Sequence, residues 1–132
     1  MSSKKQEKTK KMSFERFLKS IKYSIEGLSH AYKNEQSLWL HAICTVIAVV
    51  LGFVLKISFN QWAIVLTALV VVLAVELLNT AIEAAVDLVT DKIHPLAKVA
   101  KDCGSAAAFV SSIMATIICL FIYIPRIAIL LG

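Results

Sequence analysis

Three carboxylates, Glu76, Glu83 and Asp87, follow directly on an apolar run, 57–75, that holds no Asp, Glu, Lys or Arg. Offsets of 7 and 11 residues turn an α-helix by about 700° and 1100°, each within about 20° of a whole number of turns. The three acids therefore stack on one helical face, with Asn79 and Thr80 flanking it and Ala, Leu, Ile and Val on the other faces. An acid at mid-membrane costs ~2.5–3.5 kcal/mol on the gentler insertion scale, and intramembrane ionisable groups default to a functional reading. Glu76 stands near the end of its apolar run, where the cost is smaller but real. The stripe admits two readings: a face packed against polar groups of neighbouring chains, or a site that binds cations or moves protons.

Stacked carboxylates repel one another unless a counter-charge is present. A divalent metal is the economical one: Mg²⁺ takes one or two carboxylates and completes its shell with water and substrate phosphate. The segment after the stripe offers the complement in Lys92, His94, Lys98 and Lys101, with Asp102 next, and a further acid, Glu35, precedes the first apolar run. Acids for metal beside lysines for phosphate point to nucleotide chemistry at a membrane surface. The four glycines, at 27, 52, 104 and 132, build neither a Gly-x-x-x-x-Gly-Lys loop nor a Gly-x-Gly-x-x-Gly turn. Protein-kinase signatures are absent as well, so P-loop, Rossmann and protein-kinase scaffolds are excluded.

The elements that must position these residues are set by composition. The chain has 132 residues, 58% hydrophobic and 17% charged, against roughly 45–50% and 25% in soluble domains. That length fits one domain, and so apolar a small chain cannot hide its apolar surface as a water-soluble globule. Apolar content excludes disorder, and three scattered cysteines are too few for a secreted disulfide framework. The expected fold is an all-α membrane protein. Three transmembrane helices are expected at about 36–55, 58–80 and 103–124, each long enough for a ~30 Å hydrocarbon core. The second continues as helix to about 90, because nothing breaks it before Pro95.

Nine of the fourteen Lys and Arg precede residue 36, and three more lie at 92, 98 and 101; only Lys56 and Arg126 fall on the other side. The positive-inside rule then puts the N-terminus and the 91–101 loop in the cytoplasm and the C-terminus outside the cell membrane. This asymmetry accounts for the basic charge, and no interleaved basic and aromatic surface suggests a nucleic acid. Residues 1–12 read as a basic, disordered tail ahead of a single membrane-embedded domain, 13–132. In 13–33, Phe14, Phe17, Leu18, Ile21, Ile25, Leu28 and Tyr32 recur at helical spacing. They form the stripe of an amphipathic helix lying on the cytoplasmic leaflet. Cys44, Cys103 and Cys119 read as reduced structural thiols. His41 reads as a packing or interfacial histidine, His30 as a solvated one, and Trp39 and Trp62 as interface anchors. Asp91 reads as a loop residue and Lys98 as a headgroup contact.

The pattern Glu76-x-x-Asn79-Thr80-Ala81-Ile82-Glu83-x-x-x-Asp87, followed by Ala100-Lys101-Asp102-x-x-Ser105-Ala106-Ala107, resembles the prokaryotic integral-membrane diacylglycerol kinase family. Tyr23-Ser24-x-x-Gly27-Leu28 and Asn34-Glu35 fit it too, and the match runs from about residue 14 to the end of the third span. The stretch Asp87-Leu88-Val89-Thr90-Asp91-Lys92-Ile93-His94-Pro95-Leu96-Ala97-Lys98 looks like the Gram-positive branch, whose members mainly phosphorylate undecaprenol rather than diacylglycerol. The resemblance implies a homotrimer of three-span chains, with active sites shared between neighbouring subunits at the cytoplasmic interface. In those sites the γ-phosphoryl group of Mg-ATP passes to a lipid hydroxyl. It implies Glu76 as the catalytic base and Glu35 and Glu83 as Mg²⁺ ligands. Lys101 and Asp102 would contact the nucleotide, Lys101 on phosphate, with Arg16, Tyr23 and His94 bordering the ATP site. Asn79 and Ser105 would shape the substrate pocket. Lys92 and Ile93 depart from other members and are left out of the ATP set.

The expected activity is thus an ATP- and Mg²⁺-dependent undecaprenol kinase, with diacylglycerol phosphorylation as the alternative acceptor. From other classes come a small oligomeric ion or proton transporter using Glu76 and a non-catalytic assembly subunit. A transporter wants its charge near the bilayer centre with access from both sides. Here the acids and the lysine loop share one side, which favours an enzyme.

Overall fold

A computed structural model describes residues 2–90, 92 and 94–131, with side chains from residue 14 onward. Asp91 and Ile93 lie outside the described residues. The chain divides into two compact units, Met1–Asn34 and Glu35–Gly132.

The first unit is one helix, α1 (Ser2–Asn34). It begins at Ser2, so the helix expected from 13 extends back through the basic segment. Lys, Gln and Glu dominate that segment, all good helix formers, and neither Pro nor Gly interrupts it. Along the later turns Phe14, Phe17, Leu18, Ile21, Ile25 and Leu28 are exposed. Lys22 and Glu26, one turn apart, pair at 3.7 Å.

The second unit is three long helices: α2 (Gln36–Val54), α3 (Phe59–Val89) and α4 (Pro95–Leu131). All three are long and apolar enough to cross a membrane. At 1.5 Å per residue α2 is about 28 Å long, one hydrocarbon thickness. The turn between α2 and α3 is tight: Ile57 N–H donates to Gly52 O at 3.2 Å, and Lys56 takes a left-handed φ of 48°. Ser58 then starts α3 with a capping box, its Oγ accepting from Gln61 N–H while Gln61 Oε1 accepts from Ser58 N–H at 2.9 Å. Pro95 opens α4, at the position where a missing N–H costs nothing.

The expected spans coincide with these helices to within a residue at the α2–α3 turn. The first and second match closely, including the extension of α3 to Val89. The third expected span, 103–124, is exceeded at both ends. Upstream, the polar turns from Pro95 to Asp102 are helical. Downstream, the helix passes through Pro125 to Leu131. The ring removes one backbone donor, but the apolar residues after it continue the helix.

α3 packs most extensively on α4. Ala68, Val72 and Ala115 form one buried cluster, and small residues let the two backbones approach. A second cluster, Ala48, Leu55, Ile57, Val65 and Tyr123, joins all three helices. Tyr123 Oη donates to Ala48 O at 2.8 Å, tying α4 to α2. Gly52 lies under the Trp62 ring, where a Cβ would come within 2.7 Å of a ring carbon. Arg126 donates to Gln61 Oε1 at 3.2 Å, closing the end of the bundle remote from the acidic stripe.

Candidate functional site

Glu76 is buried, with 7% of its surface exposed, and it alone among the charged or polar described residues is so enclosed. α3 carries it past the charge-free run to a level where α2 presents Ser37 and His41, one turn apart. His41 Nε2 lies 2.7 Å from Oε1, and Ser37 Oγ donates to Oε2 at 3.2 Å. Both carboxylate oxygens are thus held across the α2–α3 interface, which is how a membrane helix keeps such a group. His41 and Ser37 carry no sequence signal toward Glu76. They lie 35 and 39 residues away along the chain, and packing alone brings them together.

One turn on, Asn79 Nδ2 donates to Glu83 Oε1 at 2.8 Å. Asn79 Oδ1 is buried with no hydrogen-bond partner. It faces Gly104 of α4 so closely that a Cβ at 104 would collide with it. Thr80 turns its hydroxyl back to Glu76 O at 3.1 Å. A further turn on, Asp87 Oδ1 pairs with Lys101 Nζ of α4 at 2.6 Å.

The stacked acids therefore share a face of α3 but not a partner: α2 for Glu76, Asn79 for Glu83, α4 for Asp87. Eleven residues of helix spread them over about 16 Å. Among the described residues, no three His, Cys, Asp or Glu converge on one point.

The remaining expected residues fall in three places. Lys98 pairs with Asp102 along one edge of α4, both side chains largely exposed. His94 starts α4, its carbonyl accepting from Lys98 N–H at 3.0 Å and its Nδ1 from Leu96 N–H at 3.2 Å. Ser105 is exposed on α4 next to Gly104. Glu35 is the N-cap residue of α2, in extended backbone, and its side chain makes no capping bond. Arg16 and Tyr23 belong to α1, where they are exposed together with Lys19, Ser20 and Ser24.

The donor set suits a hard cation. Glu83 offers a carboxylate whose Oε1 accepts from Asn79 Nδ2, while Asn79 Oδ1, at the other end of that amide, faces Gly104. Oxygen donors in small number, leaving positions for phosphate, are what Mg²⁺ takes.

Residues 22–123 match the family model described as prokaryotic diacylglycerol kinase. The undecaprenol kinase of Bacillus subtilis (strain 168) is 38% identical over 111 residues, 84% of this chain and 90% of that protein. The diacylglycerol kinase of Pseudomonas aeruginosa is 38% identical over 102 residues, 77% of this chain and 83% of that protein. The Escherichia coli (strain K12) diacylglycerol kinase is 36% identical over 104 residues, 79% and 85% of the two chains.

Proposed function

The chain belongs to the prokaryotic diacylglycerol kinase family, and from that premise we propose that it transfers the γ-phosphoryl group of ATP to undecaprenol, giving undecaprenyl phosphate. Membership makes it a membrane lipid kinase and sets aside the ion transporter and the assembly subunit. The acceptor rests on the longer match to an undecaprenol kinase and on the 87–98 stretch that resembles the Gram-positive branch.

The observation that carries the mechanism is the enclosed carboxylate of Glu76 at the junction of apolar and polar helix. A prenol keeps its chain in the bilayer and its hydroxyl at that depth. Glu76 takes the hydroxyl proton as the lipid oxygen bonds to the γ-phosphorus. The bridging P–O bond breaks, and ADP leaves with the electron pair. Such a transfer asks for positioning and charge neutralisation more than covalent help. Glu83 and Glu35 would hold Mg²⁺, which would supply charge neutralisation on the phosphates. Lys101, steadied by Asp87, binds phosphate, and Asp102, His94, Arg16 and Tyr23 border the nucleotide. Asn79 and Ser105 shape the pocket. The sites are shared in a homotrimer, with the N-terminus and 91–101 cytoplasmic and the C-terminus outside.

The test is direct: purified protein in detergent with γ-labelled ATP, Mg²⁺, and undecaprenol or diacylglycerol in parallel. Faster labelling of undecaprenol is expected. Labelling of diacylglycerol alone would move the acceptor to the second reading, supported by the Pseudomonas and Escherichia relatives. No lipid phosphate in either arm would overturn the kinase.

A further inference from the structure

The hydrogen bonds at Glu76 divide its two oxygens between unequal partners, and that inequality has a chemical meaning. A carboxylate acting as base is ionised and only accepts, so in that role the 2.7 Å contact is a bond donated by His41 Nε2–H to Oε1. Ser37 donates to Oε2 over a longer 3.2 Å, and a hydroxyl rotates freely between donating and accepting.

We propose that His41 is a positioning residue for the general base: its Nε2–H clamps Oε1 of Glu76 so that Oε2 faces the lipid hydroxyl. This rests on the reading of Glu76 as the base. Oε2 receives the proton as the lipid oxygen–phosphorus bond forms. Ser37 then reverses its hydroxyl to accept from the new Oε2–H, and the proton passes to water as the site resets. His41 keeps the same bond throughout and neither gains nor loses a proton. A glutamate on a helix has three side-chain torsions, and a base displaced by an ångström can lose about 10²-fold in rate. A short bond from the neighbouring helix removes that freedom. The geometry also explains why α2 carries a histidine one turn inside an otherwise charge-free span, where packing alone would favour an apolar side chain.

Two variants and one spectrum test this. His41→Leu fills the space without a donor. His41→Gln places an amide N–H near the Nε2 position and cannot act as a proton acceptor at pH 7. For His41→Leu, kcat is expected to fall about 10–100-fold with KM for ATP unchanged, and for His41→Gln most of that loss is expected to be recovered. In ¹⁵N-histidine spectra of the detergent-solubilised protein, the His41 Nε2 resonance is expected to shift in Glu76→Gln. Wild-type kcat in His41→Leu overturns the clamp. So does a His41→Gln as slow as His41→Leu, which would make the imidazole a proton carrier. So does a His41 resonance unmoved by Glu76→Gln, a readout that needs no turnover. Absence of lipid phosphorylation by the wild type, with the resonance shifting as expected, would instead overturn the kinase reading and leave the contact standing.

Discussion

At the scale of single residues, the site is a ladder of separate contacts along one face of α3. Removing the base while keeping its shape isolates its chemistry: Glu76→Gln should lower kcat by about 10²–10⁴-fold, checked by single-turnover labelling of lipid. Gly104→Ala tests the rung below. The added methyl meets Asn79 Oδ1, and forcing atoms into a packed site costs about 1–3 kcal/mol. A lower melting temperature is expected, together with a weaker Mg²⁺ dependence, since Asn79 is the hydrogen-bond donor to Glu83. An unchanged Mg²⁺ titration would separate Asn79 from the metal. The acids of this ladder were legible in the sequence because helical arithmetic places 76, 83 and 87 on one stripe without knowledge of any neighbour. His41 was not legible as a partner of Glu76. Its link to α3 is a product of tertiary packing, and a histidine inside an apolar span has the same local signal whether it packs or works.

At the scale of elements, charge-free runs located α2 and the start of α3 to within a residue or two, because the bilayer thickness sets the apolar length, and the end of α3 followed from the lack of a breaker before Pro95. The ends of α4 were less legible. Pro125 reads as a stop, yet one lost hydrogen bond does not end a helix whose following residues are apolar. Lys98 and Lys101 read as loop, yet with Asp102 they fall at i, i+3 and i+4 on one face of a helix that Pro95 starts. The consequence is that Lys101 is held at helical register opposite Asp87. Both partners of that pair are partly or largely exposed, so it should add under about 1 kcal/mol to stability. Asp87→Asn is therefore expected to leave the melting temperature nearly unchanged while raising KM for ATP, as Lys101 loses its support. At the opposite end of α3, Ser58→Ala removes the cap and should cost about 1 kcal/mol without touching KM or kcat, checked by thermal melting beside the lipid assay.

At the scale of the whole molecule, the three spans have windows of which only 17%, 22% and 22% is buried by the chain itself. Exposed Ile, Val, Leu and Phe cover the remainder, which suits lipid on one side and further copies on another. If sites are completed by neighbours, two dead proteins should repair each other. Glu76→Gln and Lys101→Met subunits, mixed and reassembled, are expected to regain lipid phosphorylation that neither shows alone. Mixtures as inactive as their parts would place each site within one chain. The small share of self-covered surface carries one more consequence. If the proposed trimer covers the rest, the native state is written into mass action rather than into the chain's own core. Diluting the protein with ever more lipid, at fixed temperature and fixed substrate fraction, then acts on it as a denaturant acts on a soluble enzyme.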